Sequence, residues 1–573
     1  MCFFPPSFLM AQDAASKIRL NQLGFYPESQ KIAVITEDIE SDFNIVSIPS
    51  GEVVYRAKLS GPYKSGFSSK LTRIADFSMV TKPGSYRLSL PGQGESYQFE
   101  IKPKVFCGLT KALIKGFYFQ RMSTPLLPEY AGKWSRAAGH PDNDVRIHPA
   151  AASPGRPAGT IISTPKGWYD AGDYNKYIVN SGITMGTLLS LYEDFPSYFD
   201  TLDLNIPESK DQAPDLLNEI AWNLRWMLTM QDPVDGGVYN KVTNADFDGM
   251  VMPSVCVTQR YVVPKGTAAT LDFTAVMAQS SRIFSKFKKA FPGLSDSCIR
   301  SAETAWQWAV KNPKVAYDQN KMNREFTPVI NTGGYGDSNF TDEFIWAAAE
   351  LYVTTKKTSY YTTFSMIPDT LMPLPSWGNV RLLGYYTLVR FEKKLTDGAK
   401  KDFPVIKERL KKAADKLSEG VSERPYRTVM GKSARDFVWG SNSVAANQGI
   451  LLIYVYKLTG DRKYLELALG NLDYLIGRNA TGYSYVTGIG DKTPMFPHHR
   501  QSEADGIAEP IPGLISGGPN PGKQDKCTTY TSSIPDESYT DNVCSYASNE
   551  IAINWNAPAA YLAGAIEALF SKK

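Results

Sequence analysis

The sequence predicts a multidomain protein, an N-terminal all-β immunoglobulin-like sandwich followed by an all-α (α/α)6 barrel. Three observations carry this reading. The chain has 573 residues, too many for one ordinary core. Its hydrophobic period is that of strands up to about residue 103 and that of helices from about residue 105 onward. Several helical segments are separated by long loops, and loops of that length in a compact domain usually carry function.

Residues 18–103 form the sandwich. KIAVITE, FNIVSI, EVVYRAKL, TRIADFSMV, GSYRLSL and SYQFEI are short runs rich in β-branched and aromatic residues. Turn signals such as Pro49-Ser50-Gly51 and Lys82-Pro83-Gly84 divide them. Regular spacing of short strands suits a small sandwich, although the Cys–Trp–Cys pattern of true immunoglobulin domains is missing.

Residues 104–573 form the helical part. Leu216, Leu217, Ile220, Ala221, Leu224, Met227 and Leu228 share one face at 3.6 spacing. Similar segments lie near 105–121, 180–194, 267–289, 296–310, 340–355, 379–394, 403–418, 443–459, 461–477 and 550–571, with almost no strand signal between them. About twelve helices suit six inner helices ringed by six outer ones. A helical solenoid is the rival, but no fixed repeat is visible.

Basic and acidic residues number 62 and 58, a balance that gives no reason to expect nucleic acid as a partner. No apolar run reaches eighteen residues, so no transmembrane helix is expected. Residues 1–17 resemble the remnant of a secretory leader without its basic start. This points to a secreted or periplasmic protein, and a monomer is expected. The six cysteines contain no CxxC pair, which argues against a zinc ribbon. Cys527 and Cys544 flank one Gly/Pro/Ser-rich loop and are candidates for a disulfide in an exported chain.

Three stretches carry chemistry. In GWYDAGDYNKY, Asp170 and Asp173 project from one turn amid Trp168, Tyr169, Tyr174 and Tyr177. The small Ala171 and Gly172 would let the backbone approach a substrate closely. An acidic pair ringed by aromatics suits gripping a sugar and activating water. The plain alternative is a turn capping the helix that begins near Val179. PMFPHHR supplies His498, His499 and Arg500, a cluster short of ligands for a metal and better suited to a polar ligand. YTDNVCSYASNEIAINWNA places Glu550 at the start of the last helix, beside Tyr546 and Trp555. A carboxyl desolvated by such rings holds its proton to higher pH, as a general acid requires. By itself it reads better as a first-turn acid on the helix dipole, a common role.

Together these stretches are more specific. Residues 484–500 read S-x-V-T-x-x-G-x-K-x-x-x-x-P-H-x-R, and residues 539–557 read Y-x-D-x-x-x-x-Y-x-x-x-E-x-A-x-x-x-N-A. With D-A-G-D-Y-N-K, and in this order, the set resembles glycoside hydrolase family 9, the inverting endoglucanases and related β-glucan hydrolases. The segment opening IRLNQLGFYP resembles the immunoglobulin-like module of one branch of that family. The resemblance implies Asp173 as general base, Asp170 as its partner in holding water, and Glu550 as general acid. It implies that His498 and Arg500 bind the sugar beside the scissile bond, and that Asp541, the fixed acid of the same motif, contacts the substrate together with Tyr174 and Tyr546. Trp377 and Trp439 stand where the family often places sugar-stacking rings, whereas Trp346 reads as core. No cofactor is required for the chemistry. Ser338, Asp342 and Glu343 resemble part of a structural calcium site in some members, and a helix N-cap followed by first-turn acids explains them equally well. The zinc-binding Cys–His set of some relatives is not evident, because His140 and His148 lack the thiols. Two stretches depart from many members: GSNSVAANQG after Trp439, and the loop 232–265.

The implied activity is inverting hydrolysis of internal β-1,4 bonds in cellulose, mixed-linkage glucan or xyloglucan. An exo-acting β-glucosidase or glucosaminidase on the same scaffold is the alternative. A polysaccharide lyase would need a Tyr/His base instead of a carboxyl pair. A non-catalytic glycan-binding protein is disfavoured by the presence of both Asp173 and Glu550.

Overall fold

The computed structural model describes residues 17–571. The leader reading of residues 1–17 therefore lies outside the described residues, Lys17 excepted.

The N-terminal domain is a two-sheet sandwich. One sheet runs in the order Ile18–Arg19, Ile32–Ile35, Thr72–Asp76, Ser60–Tyr63. The other runs Val53–Lys58, Asp42–Ser47, Gly84–Leu90, Gly94–Glu95, with Phe99–Ile101 also on Gly84–Leu90. Alternation fills the space between the sheets: Ala33, Ile35, Phe43, Ile45, Leu88 and Phe99 meet in one core. Strand Ile32–Ile35 is buried on both faces. Its other face, Ile32 and Val34, packs on Tyr426 and Ala480 of the helical domain. Hydrogen bonds from Tyr26 Oη to Glu567 (2.5 Å) and from Asn21 Nδ2 to Asp473 (2.8 Å) fasten the same interface.

The helical domain is an (α/α)6 barrel. Helices Ile178–Asp194, Thr267–Phe284, Thr341–Thr355, Arg381–Arg390, Ser441–Thr459 and Ile553–Phe570 pack in sequence into a closed inner ring. Cys107–Phe119, Asp215–Thr229, Leu294–Lys311, Thr358–Thr362, Asp397–Ser418 and Arg462–Leu475 lie outside it. The inner helices are apolar nearly all round, as elements buried on both sides must be. Trp346 is fully buried among them.

One element departs from the sequence reading. The long loops carry a five-stranded sheet in the order Ile161–Ile162, Val145–Ile147, Arg260–Val262, Lys241–Asn244, Lys176–Tyr177. Strands of two to four residues leave too short an alternation to read from sequence. Cys527 and Cys544 are joined as a disulfide.

Candidate active site

The main chain brings the three stretches together. Ala171 pairs with Ala552, and Ile553 N–H donates to Asp170 O at 2.8 Å. Gly172 O accepts from Arg500 N (3.2 Å) and Arg500 Nη1 (2.9 Å). His498 pairs in parallel with Glu550, and its N–H donates to Asn549 O at 3.0 Å. Gly172 is needed for packing rather than for substrate access. A Cβ there would lie 2.1 Å from His498 O.

Neither aspartate caps a helix. The helix begins at Ile178, and its N-cap Tyr177 makes no side-chain cap bond. Glu550 is not a first-turn acid either. Its backbone is extended (φ −69°, ψ 154°), and the last helix starts only at Ile553. The carboxyls are thus released from helix-end roles.

Their surroundings differ. Asp170 is 1% exposed, and both its oxygens accept from Asn180 Nδ2 (3.1 and 3.0 Å), with Tyr335 Oη on Oδ2 at 3.2 Å. Burial, then the charge of Asp173, pushes its pKa well up, against the donors Asn180 and Tyr335. Asp173 Oδ2 accepts from Asn175 Nδ2 (2.7 Å) and Tyr177 Oη (3.2 Å), while Oδ1 has no protein partner. Burial pushes the Glu550 carboxyl well above the usual range, and Asp173 adds to this, while Arg500 opposes it. An acceptor oxygen left open and a second carboxyl holding its proton are the two halves of acid–base hydrolysis.

Exposed rings flank the carboxyls. Trp377 meets Tyr335 edge-to-face at 5.4 Å, and Tyr335 bonds Asp170. On the other side Trp439 lies 5.5 Å from Tyr546, which lies 5.7 Å from the His498 ring. His498 Nδ1 is 2.6 Å from Val543 O. Arg500 is committed to the loops, its Nε donating to Asp248 O at 2.8 Å and its Nη1 to Gly172 O. His499 is buried against Gln120 and Ser502, and burial lowers its pKa to about 3.

Two expected substrate contacts are corrected. Tyr174 is buried, its Oη donating to Val251 O at 2.6 Å and its ring packed on Tyr169. It is a core residue, because the bend at residues 172–174 turns its ring onto Tyr169 and His140. Asp541 accepts from Met495 N (2.8 Å), Phe496 N (2.9 Å) and Asn549 Nδ2 (3.1 Å). It braces the His498 loop against the Glu550 segment. Tyr335, Asn180 and Asn175 were not singled out from sequence. The run Gly333-Gly334-Tyr335-Gly336, with Tyr335 at φ +46°, was the available signal for the first.

Asp342 and Glu343 lie in the first turn of Thr341–Thr355, with Asp342 accepting from Val380 N at 2.7 Å. Glu343 Oε2, both oxygens of Asp272 and Asn379 Oδ1 are buried without protein partners. Burial and mutual repulsion with Asp342, Asp272 and Asp337 push the Glu343 carboxyl well up. An oxygen-rich set with orphaned acceptors fits a hard cation. Ser338 is exposed, its N–H donating to Asp337 Oδ1 at 2.5 Å. His140 does have a thiol in reach: its ring, Cys256 Sγ and an Asp248 oxygen lie within 4.8 Å of one another. That set is one short of a closed tetrahedral site, and Asp248 already accepts from Asn244 Nδ2.

An (α/α)6 barrel whose loops gather three carboxyls between exposed indole rings is the architecture of a polysaccharide-cleaving enzyme. Comparison with known proteins narrows this. Residues 106–563 match the glycosyl hydrolase family 9 model, and residues 13–95 match the cellulase N-terminal ig-like domain. The xyloglucan-specific endo-beta-1,4-glucanase of Bacteroides ovatus is 48% identical over 566 residues, covering 99% of this chain and 95% of its own. Endoglucanase D of Acetivibrio thermocellus is 33% identical, covering 96% of this chain and 83% of its own. The solved Bacteroides ovatus family 9 structure superposes with a TM-score of 0.92 at 47% identity, covering 97% of this chain and all (100%) of that one. A metagenome-derived family 9 endoglucanase gives 0.86 at 31% identity, covering 96% and 99%. The chain belongs to glycosyl hydrolase family 9. It is an endo-acting β-glucan hydrolase with an N-terminal immunoglobulin-like domain. No described helix is long and apolar enough to cross a membrane.

Proposed function

We propose that this enzyme cleaves internal β-1,4 bonds of xyloglucan with inversion at the anomeric carbon. The observation that carries the mechanism is the open Oδ1 of Asp173, in one loop cluster with the Glu550 carboxyl, which burial pushes well above the usual range as a general acid requires. Asp173 Oδ1 takes a proton from water as the water oxygen bonds to the anomeric carbon. Glu550 gives its proton to the departing glycosidic oxygen, and that bond breaks. Asp170 orients the water. An inverting site needs room for this water, with the acid and base about 6.5–9.5 Å apart. Trp377 stacks on sugar on one side, and Trp439, Tyr546 and His498 line the other. Substrate choice rests on the relative at 48% identity. Asp342 and Glu343, together with Asp272, Asp337 and Asn379, would hold a calcium ion, which would supply a structural tie for the loop that carries Tyr335. The Cys527–Cys544 disulfide supports a secreted or periplasmic enzyme.

Proton NMR of a fresh xyloglucan digest tests this. A first-formed α-anomer is expected. An initial β-anomer, or glycosyl transfer to methanol, overturns the roles of Asp173 and Glu550. Equal rates on cellulose oligomers and xyloglucan overturn the substrate choice.

A further inference from the structure

The strand Lys241–Asn244 pairs antiparallel with Lys176–Tyr177, immediately after the catalytic turn, with Tyr177 opposite Lys241. A continuous chain of hydrogen bonds runs from this strand to Asp173. Lys241 is fully buried, and its ammonium donates to Gln319 Oε1 (2.7 Å), Thr332 Oγ1 (2.9 Å) and Gly333 O (2.6 Å). Thr332 and Thr243 hydroxyls are 2.6 Å apart. Thr243 Oγ1 donates to Asn175 Oδ1 at 3.0 Å, and Asn175 Nδ2 donates to Asp173 Oδ2 at 2.7 Å.

The donor direction along this chain is fixed at both ends. Ammonium has only protons to give, so Thr332 accepts from it and turns its own proton to Thr243. Thr243 in turn shares its proton between Asn175 Oδ1 (3.0 Å) and the backbone O of Asn244 (2.8 Å), and the first of these leads on to Asp173. The amide of Asn175 cannot be reversed, because its oxygen also accepts from the backbone N–H of Asn244 at 3.1 Å. Reversal would face donor with donor. The amide nitrogen therefore points at Asp173, whose Oδ2 can only accept.

We propose that Lys241, Thr332, Thr243 and Asn175 form a one-way donor relay that positions Asp173 and keeps it ionised, leaving Oδ1 to take the proton. The relay rests on Asp173 being the base. The three oxygens that hold the ammonium are neutral, so its positive charge is not cancelled locally and acts on Asp173. Burial lowers Lys241 to about 7, and Asp173 is the group that opposes this. The other titratable groups acting on or acted on by Asp173 are Asp170, Glu550, Tyr177, Tyr335 and His498. Asp173 shares a buried site with Asp170 and Glu550, where a negative charge without donors is costly, so the base needs donors behind it. These four are positioning residues, since none but Asn175 touches Asp173.

The test is the acid limb of the kcat/KM profile, which reports the base of the free enzyme. Thr243→Val keeps the shape and removes the hydroxyl. It is expected to move the acid limb up by about half a pH unit and lower kcat several-fold, with KM within about twofold. Lys241→Met removes the charge and is expected to move the limb up by about one unit or more. Thr243→Ser should recover most of what Thr243→Val loses. Thermal unfolding is measured alongside, and if Lys241→Met does not fold, the Thr243 pair decides. An unmoved acid limb in folded Thr243→Val overturns the relay, whether or not its melting temperature falls. Asp173→Asn separates the two levels. Substantial turnover by that variant overturns the base itself, whereas an inactive Asp173→Asn with unmoved limbs in the other variants overturns the relay alone.

Discussion

Gly172→Ala is a one-methyl change that should disable the enzyme without removing any reacting group. Gly172 has no left-handed backbone to protect, so alanine is tolerated by its own dihedrals. The obstacle is the neighbour. The new Cβ would lie 2.1 Å from His498 O, where ordinary contact begins at 3.4 Å. The neighbouring atom is a backbone carbonyl of His498, a residue whose N–H donates to Asn549 O and which pairs with Glu550, so no rotamer relieves the clash. The Asp173 turn and the His498–Glu550 segment must part by about 1.3 Å, and misplacement on that scale costs about 10²-fold in rate. Overpacking of this kind costs about 1–3 kcal/mol of stability, which a chain of this size can absorb. The assay is initial rate on a soluble β-glucan, with thermal unfolding measured on the same samples. Gly398→Ala is the control, because nothing lies within 4 Å of a Cβ there. A folded Gly172→Ala enzyme within threefold of the parent rate would refute the claim that this contact sets the distance between base and acid.

Glu550→Gln should lose about 10²–10⁴-fold in turnover while remaining folded, as the removal of a general acid does. Because the folded protein raises this carboxyl, its stabilising protonated form is complete below the ordinary value of 4.5 and is lost as pH rises through the raised pKa. The melting-temperature advantage of Glu550→Gln over the parent should therefore grow from pH 4.5 upward, and a flat difference would contradict it. Trp377→Ala should raise KM on oligosaccharides by the equivalent of about 1–2 kcal/mol with a smaller change in kcat, and an unchanged KM would make this ring part of the scaffold. Chelation with EDTA should lower the melting temperature, and calcium, not magnesium, should restore it; no shift would leave the Asp272–Glu343 cluster without a cation role.

The fold class was legible because its signals are long. An inner helix such as Thr267–Phe284 repeats its apolar pattern over five turns, and a sandwich strand such as Gly84–Leu90 alternates between two clear faces. The small sheet behind the active turn was not, since Lys176–Tyr177 has no period to read. The three catalytic stretches were legible as motifs, but sequence could not assign direction within them. Tyr174 follows Asp173 in the chain yet faces the core. Asp541 shares a motif with Glu550 yet braces a loop. Tyr335, one of 32 tyrosines, became visible only through its bond to Asp170. Cys256 reaches His140 across more than a hundred residues, a proximity that only the fold creates.

The site is assembled by main chain, and this decides which substitutions are informative. Asp170 contributes its carbonyl to Ile553 N–H, Ala171 pairs with Ala552, Gly172 O holds Arg500, and Glu550 O accepts from Gly517 N–H at 2.9 Å. None of these contacts uses a carboxylate oxygen, and the one further contact that does, Glu550 accepting from Gly172 N–H, keeps its acceptor oxygen in the amide. The acids can therefore be changed to amides with the loops still joined, so loss of turnover in such variants measures chemistry. The converse holds at Gly172, which has no reacting group and no freedom to acquire a side chain. A site held by its acidic side chains would behave in the opposite way, with the amide variants unfolding and Gly172 tolerant. The paired outcome of folded but inactive Glu550→Gln, and impaired Gly172→Ala, distinguishes the two designs on one set of samples.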